Sequence, residues 1–196
     1  MRLYYQTLGM SRKSKSGGYG QALEKIISAA ASAGTTVDIR GLSPHRAVAD
    51  QYRYLEFLDT QEVLENGLQA EKDGYDAFLL GNIFQPGLHE LREVLNIPVL
   101  GLAECTVHMA CLMGPSFSII NVNPKFNRRI VEAIKLQGLE SRMVSVEMMS
   151  VERPGVFDEA LANIETRSLI AAQFTETSRL ALAKGAEVLI PAGGSL

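Results

Sequence analysis

The chain has 196 residues, enough for one large domain or two small lobes around a cleft. Hydrophobic residues make up 46% and charged residues 21%, a composition that suits a globular protein with a sizeable core. The net charge of −3 leaves no basic footprint for nucleic acid, and no apolar run approaches the roughly 20 residues that cross a bilayer.

The N-terminus, Met1-Arg2-Leu3-Tyr4-Tyr5-Gln6, lacks a signal peptide's apolar stretch, so a cytoplasmic location is expected. Residues 2–8 read as an opening strand and 9–20 as a polar loop rich in Gly, Ser and Lys. Leu23, Ile26, Ile27 and Ala30 recur at helical spacing over 21–33, with Gly34 as the stop. A β-branched strand follows at 35–40, then an irregular stretch to Tyr54 and a helix over 55–72. Residues 76–80 form a short apolar strand of the kind buried on both faces of a parallel sheet. A short helix at 86–95 and a strand at 98–102 complete the first half.

The second half repeats the rhythm. Helices are expected at 104–113, 124–137 and 158–184, and strands at 116–121, 142–146 and 187–190. Alternating strands and helices predict α/β architecture: two Rossmann-like lobes with parallel sheets, divided as 1–97 and 98–196, and an active-site cleft between them. The sequence stops at Leu196 just after a strand, so the second lobe is expected to lack its return segment.

Cys105 and Cys111 lie on one helix with their Cα atoms about 9 Å apart, too far for a disulfide. They read as small buried hydrophobes. Cys105-x-x-His108-x-x-Cys111 is not a metal motif, because a turn of about 100° per residue points the two thiols away from one another.

Two strand-to-loop junctions carry the functional signal. The first is Phe78-Leu79-Leu80-Gly81-Asn82-Ile83-Phe84-Gln85-Pro86-Gly87-Leu88; the second is Glu187-Val188-Leu189-Ile190-Pro191-Ala192-Gly193-Gly194. With Ile97-Pro98-Val99-Leu100-Gly101-Leu102-Ala103-Glu104, His108-Met109-Ala110 and Phe117-Ser118-Ile119-Ile120, the chain resembles the aspartate/glutamate/hydantoin racemase superfamily, its hydantoin racemase branch above all. The resemblance implies a cofactor-independent enzyme in which one cysteine from each lobe exchanges a proton with opposite faces of a substrate, next to a carbonyl. Here the two cysteine positions align with Asn82 and Pro191, neither of which titrates near neutral pH. Asn121 stands where the family has Thr, and Gln85 where it has Asp.

What remains for the cleft is an amide at Asn82, flanked by Gly81 and Ile83, that either binds an oxygen or caps the following turn. Ala192, Gly193 and Gly194 either present N–H groups to an anion or form a plain turn. Ser11 opens a loop of cationic and hydroxyl donors, and Asn121 ends a strand at the same edge. Glu104 either serves as a general base or stabilises its helix N-terminus. The expected reaction is proton transfer on a small carboxylate or cyclic amide, with no cofactor and no metal. A lyase, decarboxylase or hydrolase using one base on the same scaffold, and a non-catalytic small-anion-binding protein, are the alternatives. The expected partner is the small-molecule substrate, with no nucleic acid or membrane; assembly into a homo-oligomer is left open.

Overall fold

A computed structural model describes residues 1–10, 18–43, 52–150 and 156–192. The chain divides into two compact units, Met1–Ala103 and Glu104–Leu196.

The first unit runs β1 (Arg2–Met10), α1 (Gly18–Ala30), β2 (Thr36–Leu42), α2 (Arg53–Lys72), β3 (Ala77–Leu80), α3 (Leu88–Val94) and β4 (Val99–Gly101). Its four strands are all parallel, in the order β2-β1-β3-β4. Tyr4 sits in register with Asp38 and Phe78, so these three point to one face. That face carries the core: Leu8, Leu42, Val63, Phe78, Leu80, Leu91 and Val99 are buried together. The Tyr4 ring stacks on Phe78, centroids 5.0 Å apart, and meets the Tyr75 edge at 5.2 Å.

The helix α2 packs on this face through Val63, Gly67 and Ala70. A Cβ at Gly67 would overlap the Leu91 side chain, so the missing side chain lets α2 and α3 close on each other. The stripe read at Leu23, Ile26 and Ile27 proves shallow: α1 buries no residue completely, and Ile26 is exposed.

The boundary falls after Ala103 instead of residue 97 because β4 pairs with β3, Leu80 opposite Gly101, and so completes the first sheet. The next helix, α4 (Leu102–Met113), starts directly from β4.

The second unit continues with β5 (Phe117–Asn121), α5 (Pro124–Leu136), β6 (Met143–Met148), α6 (Val156–Ala162), α7 (Ile164–Ala183) and β7 (Val188–Pro191). Its sheet is parallel, in the order β6-β5-β7, and the central β5 is buried along its whole length. Ile120, Met149 and Phe157 form a core against which Val122, Ile170 and Phe174 pack. The helix expected over 158–184 is two helices. Asn163, in extended backbone, accepts from the Glu165 and Thr166 N–H groups and restarts the chain as α7.

Glu147 is nearly buried on β6, and Lys184 donates to its Oε1 at 2.6 Å. Burial alone would raise its pKa; the hydrogen bonds from Lys184 and Ser145 outweigh burial and hold it below the usual carboxylate value. Its ionisation therefore adds stability above the unfolded value of about 4.3, and that stability is lost as pH falls through the lower folded value. Lys184→Met should remove this dependence and leave a buried carboxylate that favours its protonated form. A melting series from pH 3 to 7 should show the variant losing stability toward neutral pH, where the parent protein keeps it.

Candidate active site

In the first sheet the chain leaves β1 toward β2 on one side and returns to β3 on the other. The ends of β1 and β3 therefore flank a switch point, where open α/β sheets leave a crevice. Gly81 and Asn82 stand there. The Gly81 N–H donates to Gln6 O at 2.8 Å, extending the ladder by one step. A Cβ at Gly81 would overlap the edge of the Tyr5 ring, so the missing side chain lets that ring pack against the start of the loop.

Of the two readings of Asn82, the turn cap is the one observed. Its Oδ1 accepts from the Phe84 N–H at 2.8 Å and its backbone carbonyl from Gln85 at 3.2 Å, which closes the turn. Its Nδ2, its own N–H and the N–H of Ile83 have no hydrogen-bond partner among the described residues. Three donors thus cluster at the end of β3. Gln85 holds a left-handed φ of 50°, and its carboxamide lies where a Cβ on Gly101 would go, at the end of β4.

The second sheet repeats this topology, with its switch point between β5 and β7. The Ala192 N–H donates to Ile120 O at 2.7 Å, as Gly81 does to Gln6. By this register Ala192 corresponds to Gly81, and Pro191, paired with Ile120 as Leu80 is with Gln6, corresponds to Leu80. The counterpart of Asn82 by sequence count is then Gly193, two places past the position first matched to it. Gly193 and Gly194, like Ser11, lie outside the described residues. The Ala192 N–H is already committed to the sheet, so it is not an anion donor.

Asn121 is also committed. It is fully buried; its Nδ2 donates to Asn127 Oδ1 at 2.8 Å and to Glu147 O at 3.2 Å, and its Oδ1 accepts from the Asn123 N–H at 3.0 Å. Its side chain locks the β5–α5 turn and leaves no open donor for a ligand.

Glu104 is half-buried in the first turn of α4, and its carbonyl lies 2.8 Å from His108 Nδ1. The cysteines are less buried than expected: Cys105 is exposed and Cys111 half-buried. Their helix is amphipathic the other way round, with Ala103, Val107 and Ala110 facing inward. Among the described residues no three His, Cys, Asp or Glu side chains converge as a metal site.

Two acids escaped the sequence reading. Glu56 is 8% exposed and Asp59 2%, on the inward stripe of α2, whereas their neighbours Tyr54 and Phe57 are 71% and 75% exposed. Ser43, just past β2, donates to Glu62 Oε1 through both its N–H (2.8 Å) and its hydroxyl (2.7 Å). Glu56 and Asp59 lie one to two turns nearer the start of the helix than Glu62. The signal was an acid pair at i, i+3 in phase with Val63, Gly67 and Ala70.

A profile of the Asp/Glu/Hydantoin racemase family matches residues 18–196. A hydantoin racemase of Pseudomonas sp. (strain NS671) is 31% identical over 128 residues, 64% of this chain and 51% of that protein. A second, of Paenarthrobacter aurescens, is 26% identical over 130 residues, 65% of this chain and 55% of that protein. The matched stretch thus spans about half the length of these relatives. Among solved structures, an allantoin racemase from Klebsiella pneumoniae superposes with a TM-score of 0.78 at 19% identity, covering all of this chain and 75% of the other. An allantoin racemase from Pseudomonas fluorescens gives 0.76 at 22%, covering all of this chain and 77% of the other. At these identities the superpositions establish the fold. No helix among the described residues is long and apolar enough to cross a membrane.

Proposed function

Because the chain belongs to the Asp/Glu/hydantoin racemase family, we propose that it moves a proton at the carbon next to a carbonyl of a small cyclic amide, with 5-substituted hydantoins as the leading substrate class. The relatives named hydantoin racemase support this class.

The observation that carries the reading is the donor cluster at the end of β3. In proton abstraction the C–H electron pair moves into the ring and charge builds on the carbonyl oxygen. The Asn82 Nδ2 and the Asn82 and Ile83 N–H groups are suited to that oxygen, and fixed donors aimed at developing charge are a large share of such catalysis. Asn82 itself has no usable proton affinity, so the base is another group. Glu104 is the first choice: it stands half-buried in the first turn of α4, and a carboxylate can accept the proton and return one. Glu56 and Asp59, nearly buried on α2, are the second choice. On this reading the two-cysteine mechanism of the family is replaced in this chain by a carboxylate. Nothing in these features favours a bond-cleaving reaction.

NMR in D₂O on a panel of 5-substituted hydantoins, free amino acids and small dicarboxylates tests the proposal. The C5–H signal of a hydantoin should disappear faster than in buffer, without new product peaks. A panel that exchanges only at the buffer rate refutes the proposal. Asn82→Ala should slow exchange about 10²-fold, the usual consequence of losing one charge-stabilising donor, while the loss of its turn bond costs only about 1 kcal/mol of stability.

A further inference from the structure

A polar cavity of about 410 Å³ lies in the first unit between the edge strand β2 and α2, and Asn82 does not line it. We propose that this groove binds a small zwitterion of amino-acid size, with its carboxylate toward the sheet and its ammonium toward α2. The proposal is independent of the reaction assigned above.

The two walls carry opposite chemistry. On the sheet side stand Tyr4 and Arg40. Tyr4 is packed between Phe78 and Tyr75, yet its hydroxyl has no hydrogen-bond partner among the described residues. Burial raises its pKa to about 12, against the opposing pull of Arg40, so it stays a neutral donor at any physiological pH. The Arg40 guanidinium is close enough to act on both phenols. A cation beside a neutral hydroxyl donor suits a carboxylate.

The α2 side presents acceptors. Glu62 and Asn66, one turn apart on α2, line the groove with Asp73 just past the helix end, whose Oδ1 accepts from Gln69 Nε2 at 2.7 Å. Glu62 uses one oxygen for Ser43, and Asn66 uses its amide nitrogen for Gln6 Oε1 at 2.9 Å. The second Glu62 oxygen and Asn66 Oδ1 accept no hydrogen bond among the described residues. Acceptors of this kind suit an ammonium group. The volume lies within the range of small-molecule sites.

The groove also touches the sheet's central network. Asn66 holds the buried Gln6, whose backbone oxygen receives the Gly81 N–H. A ligand on Asn66 is therefore two hydrogen bonds from the Asn82 loop.

Alanine, propionate and ethylammonium serve as probes in ¹⁵N NMR titrations of the full chain. Propionate lacks the ammonium of alanine and ethylammonium lacks its carboxylate. Alanine should shift the amides of Tyr4, Arg40, Ser43, Glu62 and Asn66, with an affinity at least tenfold above either half-probe. Arg40→Gln and Tyr4→Phe should each weaken alanine at least fivefold; neither removes core volume, and the amide spectrum reports whether each stays folded. Asn82→Ala should leave this titration unchanged. Propionate binding as tightly as alanine would overturn the zwitterion class. The absence of groove shifts, or shifts abolished by Asn82→Ala but untouched by Arg40→Gln, would overturn the site.

Discussion

Glu104→Gln is expected to slow hydantoin C5–H exchange by about 10²- to 10⁴-fold while leaving the protein folded, the usual span for losing a general base. Gln keeps the shape and hydrogen-bonding reach of Glu but has no proton affinity near neutral pH. A carboxylate that only stabilised the start of α4 would behave differently: its loss costs about 0.3–1 kcal/mol through the helix dipole and leaves the rate alone. Exchange rate and melting temperature, measured on one sample, separate the two roles. An unchanged rate moves the base to α2, where Glu56→Gln and Asp59→Asn are the next variants, and removes Glu104 from the mechanism.

Phe78→Ala should destabilise the first unit by about 3–5 kcal/mol, the usual cost of emptying an aromatic site in a packed core. Phe78 is fully buried on β3, in register with Tyr4 on one side and Val99 on the other, and stacks on the Tyr4 ring. Total stabilities are of the order of 5–15 kcal/mol, so the variant should unfold at markedly lower urea concentration. Leu112→Ala, at a residue 82% exposed on α4, should stay within about 0.5 kcal/mol. Equal midpoints for the two variants would mean that the face shared by Tyr4, Phe78 and Val63 is not the core.

The strands were legible because buried parallel strands are short, mostly apolar runs: Ala77–Leu80 is apolar throughout, and Phe117–Asn121 carries Phe117, Ile119 and Ile120 with only Ser118 and Asn121 polar. The family was legible for the same reason, since its signature lies at the ends of those strands. The unit boundary was not. Val99–Gly101 is too short to announce which sheet it joins, and only its pairing with β3 decides that. The break at Asn163 was hidden because Asn is tolerated inside helices as well as before them. On α2 the pattern misleads at its first turns, where Tyr54 and Phe57 face outward and Glu56 and Asp59 inward. That local contradiction of the apolar-inside rule is the kind expected near functional sites. The roles of Asn121 and Ala192 depend on which partner their polar atoms find across the sheet, and that follows from register, which residue type does not encode.

The pairing pattern also governs how fast such a chain can find its fold. Every strand pair in both sheets is parallel, so none can be closed by a tight turn. Aligning β1 with β3 brings together residues as distant as Arg2 and Asp76, 74 positions apart, before the Tyr4–Phe78 contact can reward the closure. A network built from such long-range contacts forms slowly, and β1 waits with one side unpaired until β3 has been made. Refolding of this chain should therefore be slow compared with a helical bundle of equal length, and most prone to aggregation in the interval before β3 docks.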